Sequence, residues 1–366
     1  VSSSGNQIFN FDIKDPSNID RKQWSSVDLV NPTSLFIEGD YAYVTSRNNS
    51  KLVIYDISNG YGFVHVTSTG ISSPYDVYVV DDYAYVVSGN HRLSIFDVAD
   101  PSAPVAMGYS SDGLSVPQAV WVHGNRAYVS STGNDKLVIF DVTDKSAPYK
   151  LGETGTGLDY PQELCVDGDY AYFASRDTES IVIFNVSDPA NPAHVSEFSD
   201  GINYPTGIFK DNNYIFVSCY NEGFVVIDVS DVNNPKKIAG FTNEPYSMYS
   251  WDVVYQSGII YSTNQSLLCS YSLFGAGSYP IIGPDGSVSW NQLENANLWQ
   301  INDTTNEVYY NEGYVGIGID NPTSKLHVVG NIRSEYNIFS EGYVRADDYI
   351  QTDSYLESDA LEGSGN

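Results

Sequence analysis

A chain of 366 residues holds two ordinary domains or one large repeat array, and 46 Asp and Glu against 17 Lys and Arg leave a formal charge of −29. That charge repels a phosphate backbone and excludes nucleic-acid binding; it also disfavours an anionic membrane surface, and no apolar run approaches the roughly 18 residues of a spanning helix. Tyr and Gly number 30 each against 2 Met, a composition that suits pleated strands and turns rather than helices, so the expected fold class is all-β.

In chain order, the first apolar phrase is Ile8-Phe-Asn-Phe-Asp-Ile13. From residue 32 the chain repeats itself. Tyr41-Ala-Tyr-Val44 returns as Tyr83-Ala-Tyr-Val86, Arg126-Ala-Tyr-Val129, Tyr170-Ala-Tyr-Phe173, Tyr214-Ile-Phe-Val217 and Gly258-Ile-Ile-Tyr261, in steps of 42, 43, 44, 44 and 44 residues. A second phrase keeps the beat: Leu52-Val-Ile-Tyr-Asp-Ile57, then Leu93, Leu137, Ile181 and Phe224 opening its copies, with a degenerate one at Leu267–Ser272. Short apolar strands at this period, separated by Gly, Asn and Asp-Pro turns, predict one four-stranded blade per repeat of a β-propeller.

Within each unit the inner strand follows a proline (Pro32, Pro74, Pro117, Pro161, Pro205), and a tight hairpin such as Gly39-Asp40 or Gly168-Asp169 leads into the second strand. The third strand carries the Leu-Val-Ile-Phe-Asp-Val phrase, and a corner such as Asp188-Pro189 precedes the fourth, since proline presets φ for a turn and cannot donate to a ladder. The count predicts six blades, or seven. An N-terminal strand near Trp24–Leu29 is expected to complete the last blade, roughly 246–273, which leaves Ile8–Ile13 spare; a seven-bladed ring would use it together with two strands from 276–310.

These phrases resemble the LVIVD-type propeller repeat of bacterial and archaeal secreted or surface proteins, over about residues 8–273. The resemblance implies the fold and no catalytic site. Asn185 departs from the phrase, with Asn for the Asp of its other full copies, and the last copy is degenerate.

Gly- and Pro-rich residues 276–297 read as a linker after a propeller of residues 1–275. Residues 298–332 contain Val308-Tyr-Tyr, Gly316-Ile-Gly318, Asn321-Pro322 and Lys325-Leu-His-Val-Val-Gly-Asn-Ile332. This run is similar to the segment that precedes the tip or chaperone of phage tail fibres and trimeric bacterial surface fibres. In residues 333–366, Ile338, Val344, Ile350 and Leu356 recur every six residues beside Tyr343, Tyr349 and Tyr355. A single winding β segment of that length cannot bury its own apolar side chains, so a homotrimeric β stem is expected.

Candidate chemistry is sparse. No Gly-x-Ser-x-Gly and no His-Glu-x-x-His is present, and Cys165, Cys219 and Cys269 are too far apart in sequence to suggest a CxxC site, so they read as small buried hydrophobes. Asp76, Glu163 and Asp252 fall two residues after each inner-strand start, where other blades carry Ser34, Ala119 and Gly207. Facing the upper channel, their oxygens suit Ca²⁺, against the plainer reading of carboxylates that cap turns. Tyr75, Tyr160, Tyr204, Tyr246 and Trp251 share one face, where rings beside Asn, Asp and Gln form a platform for a glycan or protein receptor, or simply pack the blade corners.

The expectation is therefore a non-enzymatic receptor-binding component of a phage tail fibre or similar virion appendage, a homotrimer on the virion tail or extracellular surface, contacting other virion tail proteins and inserting into no membrane. A bacterial secreted adhesin with the same parts and a polysaccharide-degrading tailspike are the alternatives.

Overall fold

The computed structural model describes residues 6–12, 20–58, 64–220, 223–241, 250–256, 259–264, 268–272 and short strands between 278 and 328. Residues 333–366, and with them the six-residue beat, lie outside the described residues. Among the described residues every regular element is a strand. β1 (Ile8–Asp12) and β2 (Asp20–Ser25) form a hairpin.

Five antiparallel four-stranded blades follow. Blade one is β3 (Pro32–Glu38), β4 (Tyr41–Ser46), β5 (Lys51–Asp56) and β6 (Val64–Gly70). Blade two is β7 (Pro74–Val80), β8 (Tyr83–Ser88), β9 (Arg92–Asp97) and β10 (Val105–Ser110). Blade three is β11 (Pro117–His123), β12 (Arg126–Ser131), β13 (Lys136–Asp141) and β14 (Tyr149–Thr154). Blade four is β15 (Pro161–Asp167), β16 (Tyr170–Ser175), β17 (Ser180–Asn185) and β18 (Ala193–Phe198). Blade five is β19 (Pro205–Asp211), β20 (Tyr214–Cys219), β21 (Gly223–Asp228) and β22 (Lys236–Phe241). The sixth repeat is a three-stranded sheet, β23 (Ser250–Gln256), β24 (Ile259–Asn264) and β25 (Leu268–Ser272). The described residues thus complete five blades, against the six or seven expected, because the sixth sheet lacks its outer strand.

The core lies between blades rather than inside one. Middle strands are buried on both faces, so Tyr43, Leu52 and Ile54 of blade one meet Val77, Val79, Ala84 and Val86 of blade two, and the pattern repeats at each boundary. Val253 of β23 joins Phe216, Phe224 and Val226 in the same way. Cys165 and Cys219 form no disulfide among the described residues and are buried in these wedges, as small hydrophobes.

The third-strand Asp closes a local turn. Asp56, Asp97, Asp141 and Asp228 each accept the backbone N–H two residues on, and Asn185 does the same through its amide oxygen. An Asx turn tolerates either residue, which explains the departure at 185. The hairpin turns hold left-handed residues where expected, among them Gly39, Asp81, Asp82, Gly124, Gly168 and Asn212.

The N-terminal segment corrects the expected closure. Trp24 belongs to β2 and pairs with Phe9, and β1, expected to be spare, carries the load. Ile8, at the repeat position of Leu52, packs with Leu29 against Ala42, Val44, Val53 and Tyr55, the face of blade one turned away from blade two. Tyr55 Oη donates to Val27 O, and Lys51 pairs with Asp28 at 2.6 Å. The segment therefore supplies a third-and-fourth-strand hairpin, because its phrase buries the same residue position as every other third strand.

Beyond residue 275 the described strands are β26 (Ser278–Ile282) with β27 (Val288–Gln292), β28 (Trp299–Asn302) with β29 (Glu307–Tyr310), and β30 (Val315–Ile317) parallel to β31 (Leu326–Val328). The chain divides into two compact units, the first essentially residues 1–279 and the second drawn from residues 280–366.

Candidate functional site: the upper channel and its rim

The inner strand of each of the five complete blades begins with the same distortion. Asn31, Ser73, Val116, Tyr160 and Tyr204, the residues before the five prolines, all have φ between 47° and 56°. A residue before proline is pushed toward extended backbone, and a β-branched or bulky residue at positive φ is an outlier that costs on the order of 1–3 kcal/mol. The carbonyl of each residue accepts a backbone N–H from the end of the second strand, Arg47, Gly89, Thr132, Arg176 and Tyr220 respectively, and these bonds lock the kink. Just beyond each of these five kinks the ladder skips a position, giving a bulge at Thr33, Tyr75, Gln118, Gln162 and Thr206, and β23 carries the same bulge at Trp251. The bulge re-aims the next residue, and there the sequence alternates: Ser34, Asp76, Ala119, Glu163, Gly207, Asp252.

The three acids are tied to the ring. Asp76 Oδ1 accepts from Ser34 Oγ at 2.5 Å and from Val77 N at 2.8 Å, and its Oδ2 accepts from Val120 N at 2.8 Å, so one carboxylate joins blades one, two and three. Glu163 accepts from Leu164 N at 3.2 Å and Asp252 from Val253 N at 2.8 Å. Small residues between the acids make room: a Cβ on Gly207 would stand 2.9 Å from Asp252 Oδ1 and 2.8 Å from Ser218 Oγ.

Loss of water pushes the Asp76 carboxyl up to about 6, against the pull of its hydrogen bonds and with a further push from Asp252. Glu163 rises well above the usual range, through burial first and then through Asp76 and Asp252. Burial raises the Asp252 carboxyl as well. The acids therefore sense one another, as their repeat alignment suggests. Among the described residues, however, no three His, Cys, Asp or Glu side chains stand close enough to hold a metal ion. The expected Ca²⁺ set Asp76, Glu163 and Asp252 thus forms no metal-holding group among the described residues, and each of the three carboxylates accepts a backbone N–H beside it.

The aromatic set divides. The Arg47 guanidinium lies 4.4 Å from the Tyr75 ring centre and donates to its hydroxyl at 2.7 Å; Arg176 covers Tyr160 at 3.6 Å while pairing with Asp177. These two rings carry cations on their faces and are not open platforms. Tyr204 is 43% exposed. Tyr246 lies outside the described residues, and Trp251 occupies the bulge position of β23. The sequence reading missed the two arginines, which end second strands one residue past the strand that carries the Tyr-Ala-Tyr-Val phrase; their recurrence at the same repeat position was the available signal. Lower in the channel, the rings of Phe36, Tyr78 and Trp121 form a tilted stack, with ring centres 4.7 and 5.1 Å apart.

The model of the LVIVD repeat matches residues 28–60, 73–111, 117–156, 160–200 and 211–239. The propeller is built of LVIVD repeats. Each matched stretch contains one third-strand Asp or Asn of the Asx turns, and four of the five include the inner strand. No protein of curated function matches the sequence. Among solved structures, a protein from Lactobacillus plantarum is similar with a TM-score of 0.63 at 14% identity, over 80% of this chain and 93% of that one. A functionally unknown protein from Desulfotomaculum acetoxidans gives 0.60 at 15%, over 79% and 92%. The periplasmic gluconolactonase of Pseudomonas aeruginosa gives 0.55 at 12%, over 64% and 76%. At such identities the likeness concerns the propeller fold alone.

Proposed function

We propose that this chain is a recognition protein whose LVIVD propeller binds a cell-surface glycan or protein through its upper rim, and whose C-terminal segment joins it, as a homotrimer, to a phage tail or comparable surface appendage. The observation that carries this reading is the repeated left-handed residue before each inner-strand proline, which sets Tyr160 and Tyr204 at the rim at a cost in backbone strain. Strain of this kind gathers at binding sites, where the surrounding structure holds it in place. Arg176 on Tyr160 and the open ring of Tyr204 offer a cation and an apolar surface in sequence-adjacent blades. Support for the appendage is the fibre-like run of residues 298–332. Three heads on one stem would multiply a weak single-site affinity on a surface of repeated glycans.

The test is binding of the full chain to an array of bacterial surface polysaccharides and to isolated cell envelopes. Tyr204→Ala and Arg176→Ala are expected to weaken binding by about 1–3 kcal/mol per head, as for interface anchors. Tyr109→Ala, an exposed ring on the outer strand β10, is expected to change nothing. Unchanged binding in both rim variants, with thermal unfolding intact, removes recognition from this rim.

A further inference from the structure

On the lower face, an open cleft of about 550 Å³ is lined by His123, Asn125, Arg126, Asp141, Thr143 and Asp169, among others, where blades three and four meet. The cleft coincides with a break in the repeat. The first residue of the second strand is Tyr in the other four complete blades (Tyr41, Tyr83, Tyr170, Tyr214) and Arg126 in blade three. The last residue of the inner strand is Glu38, Val80, Asp167 and Asp211 elsewhere, and His123 here. A structural role does not ask for the exchange, because tyrosine fills the position four times.

Arg126 donates Nη1 to Val186 O at 3.3 Å, across to blade four, and among the described residues it has no ion pair within 4 Å. Asp141 lies opposite it in the ladder, with Oδ1 taken by Thr143 N at 2.8 Å. The cleft therefore mixes donors (Arg126, held by Val186 O, with the exposed Asn125 and His123) and carboxylate acceptors (Asp141, Asp169) over a space of ligand size. Several negative charges oppose an anion here. Asp141 and Asp169 line the cleft, and the whole chain carries −29. Asp188 is also near, its carboxyl held down first by hydrogen bonds from Asn191 and Ala190 and further by the Arg126 charge. Hydroxyls that both give and accept fit the mixture.

We infer that this cleft binds an uncharged saccharide, with Arg126 and Asn125 donating to its ring and hydroxyl oxygens and Asp141 and Asp169 accepting from its hydroxyls. This inference stands apart from the reading of the upper rim: it uses other residues on the other face, and Tyr204→Ala leaves it untouched. The experiment titrates the full chain by calorimetry with cellotetraose, maltotetraose, mannotetraose and chitotetraose, and with a glucuronate-containing tetrasaccharide as the charged comparison. At least one neutral sugar is expected to bind, with at least tenfold loss in Arg126→Tyr, a variant that restores the residue of the other blades and so keeps the fold. Asp169→Asn is a second probe on an exposed turn, also expected to weaken binding. Failure of every neutral sugar to bind, equal or tighter binding of the charged one, or unchanged affinity in Arg126→Tyr overturns the inference.

Discussion

Asp76 and Glu163 sit where water is scarce and charge of their own sign is near, so both carboxyls hold a proton more tightly in the folded chain than in the unfolded one. A raised carboxyl contributes its full stability below its unfolded pKa, about 4, and loses it as pH rises through the folded value, about 6 for Asp76. Charging Glu163 therefore works against the fold at neutral pH. Glu163→Gln keeps an acceptor for Leu164 N and removes the charge beside Asp76 and Asp252. The expected result is an unchanged urea midpoint at pH 4 and a higher one at pH 8 than in the parent chain. An equal loss at both pH values would mean that the carboxylate is needed for its geometry and not opposed for its charge. Asp76 is different, since both of its oxygens accept N–H or O–H bonds from three blades, and an amide there would turn a donor toward one of them.

At the scale of the element, the corner turns that the sequence marks with Asp and Pro are seats for neighbouring blades. A Cβ on Gly152 of β14 would collide with the carbonyl oxygens of Pro189 and Ala190 in the turn of blade four, and one on Gly108 of β10 with those of Ser146 and Lys145 in the turn of blade three. Ser196 of β18 meets the next turn with a hydrogen bond to Val232 O at 2.5 Å. The backbone cannot move without opening the wedge between blades, so Gly152→Ala is expected to cost about 1–3 kcal/mol. Urea unfolding checks this, with Gly168→Ala as a hairpin control that meets no atom within 4 Å and carries only the strain of its positive φ. Strand order, hairpins and Asp-Pro corners were legible because each depends on a local residue choice repeated at one beat. The upper rim was not. Its kink opposes the local preference of a residue before proline, and it is held by a bond from the end of the second strand, 16 residues away. The arginine over Tyr75 comes from the preceding blade, 28 residues earlier. The channel acids could be aligned by the repeat, but the bulge at Tyr75, Gln162 and Trp251 that precedes each of them is announced by no residue type.

For the whole molecule, the question is what ends a ring of wedges. Each blade leaves one apolar face for the next to cover, and blade one would present Ala42, Val44, Val53 and Tyr55 to water if nothing preceded it. Ile8 and Leu29 cover that face, and Asn6, Val27 and Asp28 fix the segment to Asn31, Tyr55 and Lys51 by hydrogen bonds. Residues 6–12 and 20–31 are thus part of the propeller's stability and not an appended arm. Ile8 is fully buried, so Ile8→Ala is expected to destabilise the propeller by about 2–5 kcal/mol, the range for a core isoleucine. An arm that merely rests on the surface would lose less than about 0.5 kcal/mol, as surface substitutions do. Removing residues 1–31 altogether should expose an apolar face and the edges of blade one, with aggregation on warming. Trp24→Ala separates packing from mere presence, because that side chain is 54% exposed and its loss should leave the urea midpoint in place. A chain in which Ile8→Ala and Trp24→Ala unfold at the same midpoint as the parent would mean that blade one is stable with its face uncovered, and that the hairpin does not complete the ring.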